Sequence, residues 1–215
     1  MPTNLPWMGA AAGAAPRRGG DVLHDLRTAT AREHAAVEAA LDLMAPALGR
    51  RRLADVLRLM HGFWLAAEAG LDDWADRFPD DADALTWPRR RRARLFAADR
   101  AVLDDVAPPA VPDLAAVPGT DEALGRLYVL EGSTLGGVFI DRHLATLPGL
   151  SGVRLRAFSP YGAETGAMWH AFRTATRDRV AAGGQAAAVV ASARATFSAL
   201  AAWCRPGGDA EAATA

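Results

Sequence analysis

"LYVLEGSTLGGVFIDRHL", residues 127–144, has the apolar spacing of a helix, yet Gly132, Gly136 and Gly137 fall in its middle. Each interior glycine costs a helix about 1 kcal/mol relative to alanine, because a bare backbone gives up more freedom on ordering. On a helix Gly132 and Gly136 are one turn apart and share a face, and Gly137 widens the strip. Tyr128 begins the same row and Phe139 lies near its other end. A strip without side chains lets something approach the backbone closely. It could be another helix packed tightly, the helix could break into a turn, or a flat ligand could lie there with Ser133 and Thr134 supplying hydroxyls. Periodicity alone does not choose among these.

Outward from this stretch almost everything has helical character, with apolar residues recurring at three- and four-residue steps. A first helix is expected from Asp21 to Leu43, its inward stripe being Leu23, Leu26, Thr30, Val37 and Leu41. A second covers residues 51–78, with Leu53, Val56, Leu57, Met60, Trp64 and Leu71 inward. "WPRRRRARLFAADRAVLDDV" gives a third, with a proline where a first turn tolerates one. The proline-rich "APPAVPDLAAVPGTDEA" ends in a helix start, with Thr120 as the expected N-cap and Asp121 and Glu122 in the first turn. After the glycine-bearing helix and a loop, "GAMWHAFRTATRDRV" and "QAAAVVASARATFSALAAWC" close the chain as two more helices. The alternation of strands is missing, so the fold class is all-α, a single multi-helix domain over residues 21–204 between tails at 1–20 and 205–215.

Composition narrows the function classes. The 215 residues carry a formal net charge of −1, which announces neither a nucleic-acid nor a membrane-surface partner. No run of about twenty apolar residues is free of charges, so no membrane span is expected. The single cysteine, Cys204, excludes an intrachain disulfide framework and a Cys-rich zinc site, and a reducing cytoplasm is the natural setting. Glu-x-x-His, the repeated element of di-iron bundles, does not occur.

The first helix carries the other candidate chemistry. In "LRTATAREHAAVEAAL" His34 lies near the apolar stripe, and Glu38 follows at i+4 on the same face. A neutral imidazole can ligate a metal through one nitrogen while its other N–H donates to a carboxylate that fixes its orientation. The plain alternative is a buried histidine satisfied by an ion pair with Glu38. Arg27 lies two turns earlier on nearly the same side.

Two segments together resemble the heme oxygenase family, in its bacterial, phytochrome-associated branch. "LRTATAREHAAVE" resembles the proximal-helix motif and "YVLEGSTLGG" the glycine-rich distal helix; "FSPYGAETGAMWHAF" is similar to the segment before the penultimate helix. The resemblance covers roughly residues 23–203. It implies a bundle holding heme b between the first long helix and the distal helix, heme being both substrate and prosthetic group. His34 would be the axial iron ligand and Glu38 its support, with Tyr128 at the pocket. Gly132, Ser133, Gly136 and Gly137 would shape the oxygen side, where bareness leaves room for oxygen to reach a meso carbon. Arg27, Arg173 and Arg177 would hold the propionates, since a guanidinium matches a carboxylate bidentately.

Many family members carry an aspartate where this chain has Ser133, and some carry a basic residue where it has Ala31. The implied reaction takes heme, O2 and external electrons to biliverdin, carbon monoxide and ferrous iron. No flavin or nicotinamide fingerprint is present, so the donor would be a separate ferredoxin or reductase. The product would serve a bacteriophytochrome or iron acquisition. The departure at Ser133 keeps a second expectation in view, a heme-binding or heme-sensing protein of the same fold that does not turn over.

Overall fold

The computed structural model describes residues 21–205, and among them there are helices, turns and loops but no strand. The tails expected at the two ends lie outside the described residues, save for Arg205. The described residues form nine α-helices. They are α1 (Val22–Leu41), α2 (Arg50–Arg77), α3 (Pro79–Ala84), α4 (Trp87–Arg90), α5 (Ala93–Val102), α6 (Thr120–Gly132), α7 (Gly137–Thr146), α8 (Thr165–Ala181) and α9 (Ala186–Trp203).

Helix α1 starts where Asp21, as N-cap, accepts a hydrogen bond from the Leu23 N–H, and it ends at Asp42 in the left-handed region (φ 46°). Its buried face is Val22, Leu26, Thr30, Val37 and Leu41; Leu23 is only partly covered, and Val22 takes the inward place expected of it. Helix α2 buries Leu53, Val56, Leu57, Met60, Phe63, Trp64, Ala67, Leu71 and Trp74, an apolar stripe at three- and four-residue steps. The rings of Phe63, Trp64, Phe96 and Phe158 follow one another at centroid distances of 5.9, 4.9 and 5.6 Å, tying α2 to α5 and to the loop after α7.

Three expectations need correction. The helix predicted over "WPRRRRARLFAADRAVLDDV" is two helices, α4 and α5. It breaks because the Glu68 carboxylate accepts hydrogen bonds from the N–H groups of Arg92 and Ala93 (2.5 and 2.8 Å), starting a new helix there. Thr120 is not the N-cap of α6; Gly119 is. The Thr120 hydroxyl instead accepts from the Trp74 indole N–H (3.2 Å) and donates to Asp81. The glycine-bearing stretch is not one helix either: α6 ends at Gly132, residues Ser133–Gly136 form a 3-10 turn, and α7 resumes at Gly137.

Helix α9 packs against both α1 and α6. It is long and apolar enough to cross a membrane by length and composition, but it forms part of the bundle core, burying Val189, Ala193, Phe197, Leu200 and Trp203. Gly125 lets α6 approach it closely, since a Cβ there would stand 2.3 Å from the Val189 carbonyl oxygen. Both partners run in the direction of α9. Along α6, Asp121 accepts from the Gln185 N–H and Tyr128 reaches Phe197. Along α1, Asp25 neighbours Ala186 and Val190, Glu33 pairs with Arg194, and His34 meets Phe197.

Candidate functional site

That shared direction sets the level of the candidate residues. The Tyr128 phenol lies close enough to the Thr30 hydroxyl to feel it, bringing α6 beside α1 at one point. One turn further along α1 is His34, and one turn further along α6 is Gly132. Imidazole and first glycine therefore stand at the same height of the bundle. Cβ atoms added at Gly132 or Gly136 would meet nothing within 4 Å. The bare backbone there faces open space.

His34 is partly buried, its side chain 23 % exposed. Its ring meets that of Phe197 edge-on, and Phe197, Tyr128, Trp169 and Phe172 continue as a chain of rings from α9 through α6 into α8. Burial pushes the His34 pKa below its ordinary value, against the opposing pull of the Glu38 charge, so the neutral imidazole is favoured. His34 Nδ1 lies 3.7 Å from Glu38 Oε2, too long for a hydrogen bond but close enough to act as a charge. Burial likewise holds the Tyr128 phenol above its usual range, with Thr30 and the Arg27 charge pulling the other way.

The other predicted residues divide. Arg27 is exposed at the edge of this region, near enough for its charge to act on Tyr128. The Nε of Arg173 on α8 is buried without a hydrogen-bond partner among the described residues. Arg177 is held by Asp21 through two hydrogen bonds (3.1 and 2.8 Å), so its guanidinium is committed to the start of α1. Gly137 differs from the two glycines before it. A Cβ there would lie 2.3 Å from the Phe158 carbonyl oxygen and from Ser159 Oγ, so its bareness accommodates the loop after α7 and does not widen the open strip.

Behind α6 lies a network that sequence reasoning missed. Arg92, fully buried, donates to the Ala157 carbonyl (2.8 Å), to the Leu130 carbonyl and to Ser133 Oγ (2.9 Å), with its guanidinium over the Trp64 ring. The Ser133 hydroxyl in turn donates to the Leu130 carbonyl (2.7 Å). Next to it, Glu131 accepts from Arg90 and from the Tyr161 hydroxyl (2.8 Å). Burial pushes the Arg92 pKa down and the Tyr161 pKa up. Nothing in the run of residues 89–92 separates the buried Arg90 and Arg92 from the exposed Arg89 and Arg91. A polar cleft of about 290 Å³ opens beyond Tyr161, lined by Arg89, Arg91, Arg94 and Arg156 among others, and none of the residues predicted from sequence borders it.

No family model matches the chain, and no solved structure does. A protein of Xanthomonas campestris pv. campestris (strain 8004) named heme oxygenase is 34% identical to it over 175 residues, which is 76% of this chain and 100% of that protein. A match at that identity runs the whole length of the relative and most of this chain, and on that ground the chain belongs to the heme oxygenase family.

Proposed function

We propose that the protein is a heme-degrading monooxygenase that converts heme to biliverdin, carbon monoxide and ferrous iron with O2 and electrons from a separate ferredoxin or reductase. The observation that carries this reading is the common level of His34 and Gly132 beside backbone that faces open space at Gly132 and Gly136. Two features of the chain fit a flat, apolar, doubly anionic group. A Cβ at either glycine would project into open space that is bare here, and the buried Arg173 Nε is a donor in want of an acceptor.

His34 would supply a nitrogen to hold the heme iron, kept neutral by burial, with Glu38 beside the ring. Heme, when bound, supplies the iron at which O2 is activated and is itself the substrate. Gly132 and Gly136 keep the oxygen side clear of side chains. Arg27 and Arg173 would face the propionates at the mouth, whereas Arg177 would reach one only by giving up Asp21. Burial of a porphyrin face removes enough apolar area from water to offset the few kcal/mol of helix propensity given up by the glycines. Biliverdin would feed a photoreceptor chromophore or leave iron for the cell.

A second reading, heme binding without turnover, draws on Ser133. Its hydroxyl already donates to Leu130 and accepts from Arg92, which leaves it one lone pair and no proton to offer a proton-delivering water.

Heme titration of the wild type and of His34→Ala tests both readings, followed by ascorbate or a ferredoxin system in air. Loss of the Soret band with a biliverdin band in the red supports the enzyme, and a stable ferric or oxy spectrum supports the binder. An unaltered spectrum in His34→Ala removes His34 as the ligand. No Soret shift in the wild type sinks the reading altogether.

A further inference from the structure

We infer that Arg92 is a positioning residue: by taking the Leu130 carbonyl and the Ser133 hydroxyl it sets the break between α6 and α7 and so aims the bare glycine backbone. The inference rests on the reading that Gly132 and Gly136 face the oxygen side of a bound heme. Its geometric part stands on the protein without heme.

The argument begins with donors and acceptors. Arg92 enters from the two-residue gap between α4 and α5, where Glu68 pins the backbone N–H groups on either side. Its terminal nitrogens serve Ala157, Leu130 and Ser133. A carbonyl oxygen has two lone pairs, and that of Leu130 receives both the Arg92 guanidinium and the Ser133 hydroxyl. In an α-helix this carbonyl would serve the N–H of Thr134, four residues on. Directly after it the chain tightens into the 3-10 turn Ser133–Gly136, and the Thr134 hydroxyl turns back onto the Glu131 carbonyl (2.7 Å).

The tightening changes where the glycines point. Four steps of an α-helix bring a residue to within about 40° of the first, whereas four steps of a 3-10 helix leave it about 120° away. The turn therefore spreads the open backbone of Gly132 and Gly136 over a broader arc than a narrow strip. It also turns Gly137 away from that arc, which is where its close approach to Phe158 and Ser159 is found. A guanidinium suits the task because it is planar and stays charged, and its donors reach two acceptors at fixed angles. The Trp64 face covers its apolar side.

Arg92→Met and Arg92→Lys, with Ser133→Ala as a milder variant that removes one of the two donors on Leu130, test this in two states. In the heme-free protein, carbonyl and amide NMR shifts of residues 130–137 are expected to move toward α-helical values in Arg92→Met, less in Arg92→Lys and Ser133→Ala. In the heme-loaded protein, the pH midpoint between the acid and alkaline ferric spectra is expected to shift in the same order, and kcat for heme loss to fall at least tenfold in Arg92→Met with KM within threefold. Should Arg92→Met fail to fold, Arg92→Lys and Ser133→Ala decide. Unchanged shifts across residues 130–137 and an unchanged midpoint in folded variants overturn the inference while leaving the heme reading intact. A wild type that takes up no heme overturns that reading, and the heme-free NMR comparison still decides the role of Arg92.

Discussion

The rings of His34 and Phe197 meet edge-on, with centroids 5.4 Å apart and planes at 73°. Phe197 also meets Tyr128, so one side chain of α9 spaces the helix that carries the imidazole from the helix that carries the glycines. Burial beside this ring shields the histidine from much of the water, which is why its neutral form is favoured.

Phe197 is therefore expected to matter for stability before chemistry. It is 6 % exposed, and Phe197→Ala should cost about 3–5 kcal/mol in urea unfolding, through lost burial and the cavity left behind. Phe197→Leu should cost less than half of that. Equal stability of Phe197→Ala and wild type would mean that the ring is not packed between α1 and α6.

The three glycines should separate by substitution. Gly132→Ala and Gly136→Ala meet open space at negative φ, so each is expected to stabilise the heme-free protein by about 0.5–1 kcal/mol while depressing heme turnover. Gly137→Ala drives a methyl into the Phe158 carbonyl and should destabilise by about 1–3 kcal/mol. Thermal unfolding of the three variants checks the signs. A common sign for all three would refute the division.

Glu131 is expected to be costly to neutralise. It is almost fully buried and pairs with the buried Arg90, so Glu131→Gln leaves a guanidinium without its anion and should lose about 3–5 kcal/mol. Replacing both residues by methionine should recover much of that loss. If the single and double variants prove equally unstable in denaturant unfolding, packing and not charge compensation governs this place.

Stability should also fall with acid in a definable window. Burial holds the pKa of His34 below its ordinary value of 6.5, and burial together with the Arg100 charge does the same for His61. As pH drops through about 6.5 the unfolded chain takes up protons that the folded rings refuse. Stability present above that value is thus lost as pH falls toward the folded pKa values, by at most about 1.4 kcal/mol per pH unit for each ring. Glu68 and Asp99, whose carboxyls burial holds above their ordinary range, act in the opposite sense. The measurement is accordingly a difference: urea unfolding between pH 7.5 and 5.5 for wild type against the His34→Gln, His61→Gln double variant. The variant should show the shallower loss, and parallel curves would contradict the assignment.

The helical class, the order of the long helices and the pairing of His34 with Glu38 were all legible in the sequence. Each is written in local spacing: apolar residues at three- and four-residue steps, and a carboxylate one turn from an imidazole. The break at Ser133–Gly136, the separate fate of Gly137, the commitment of Arg177 to Asp21 and the burial of Arg92 within a run of four arginines were not. Those depend on which atoms arrive from elsewhere in the chain. The Leu130 carbonyl, the Phe158 carbonyl and the Asp21 carboxylate find their partners only when helices remote in sequence are packed together. One-dimensional periodicity records which face of a helix is bare or apolar. What stands opposite that face is fixed by the competition among buried donors and acceptors, and the tertiary structure alone decides it.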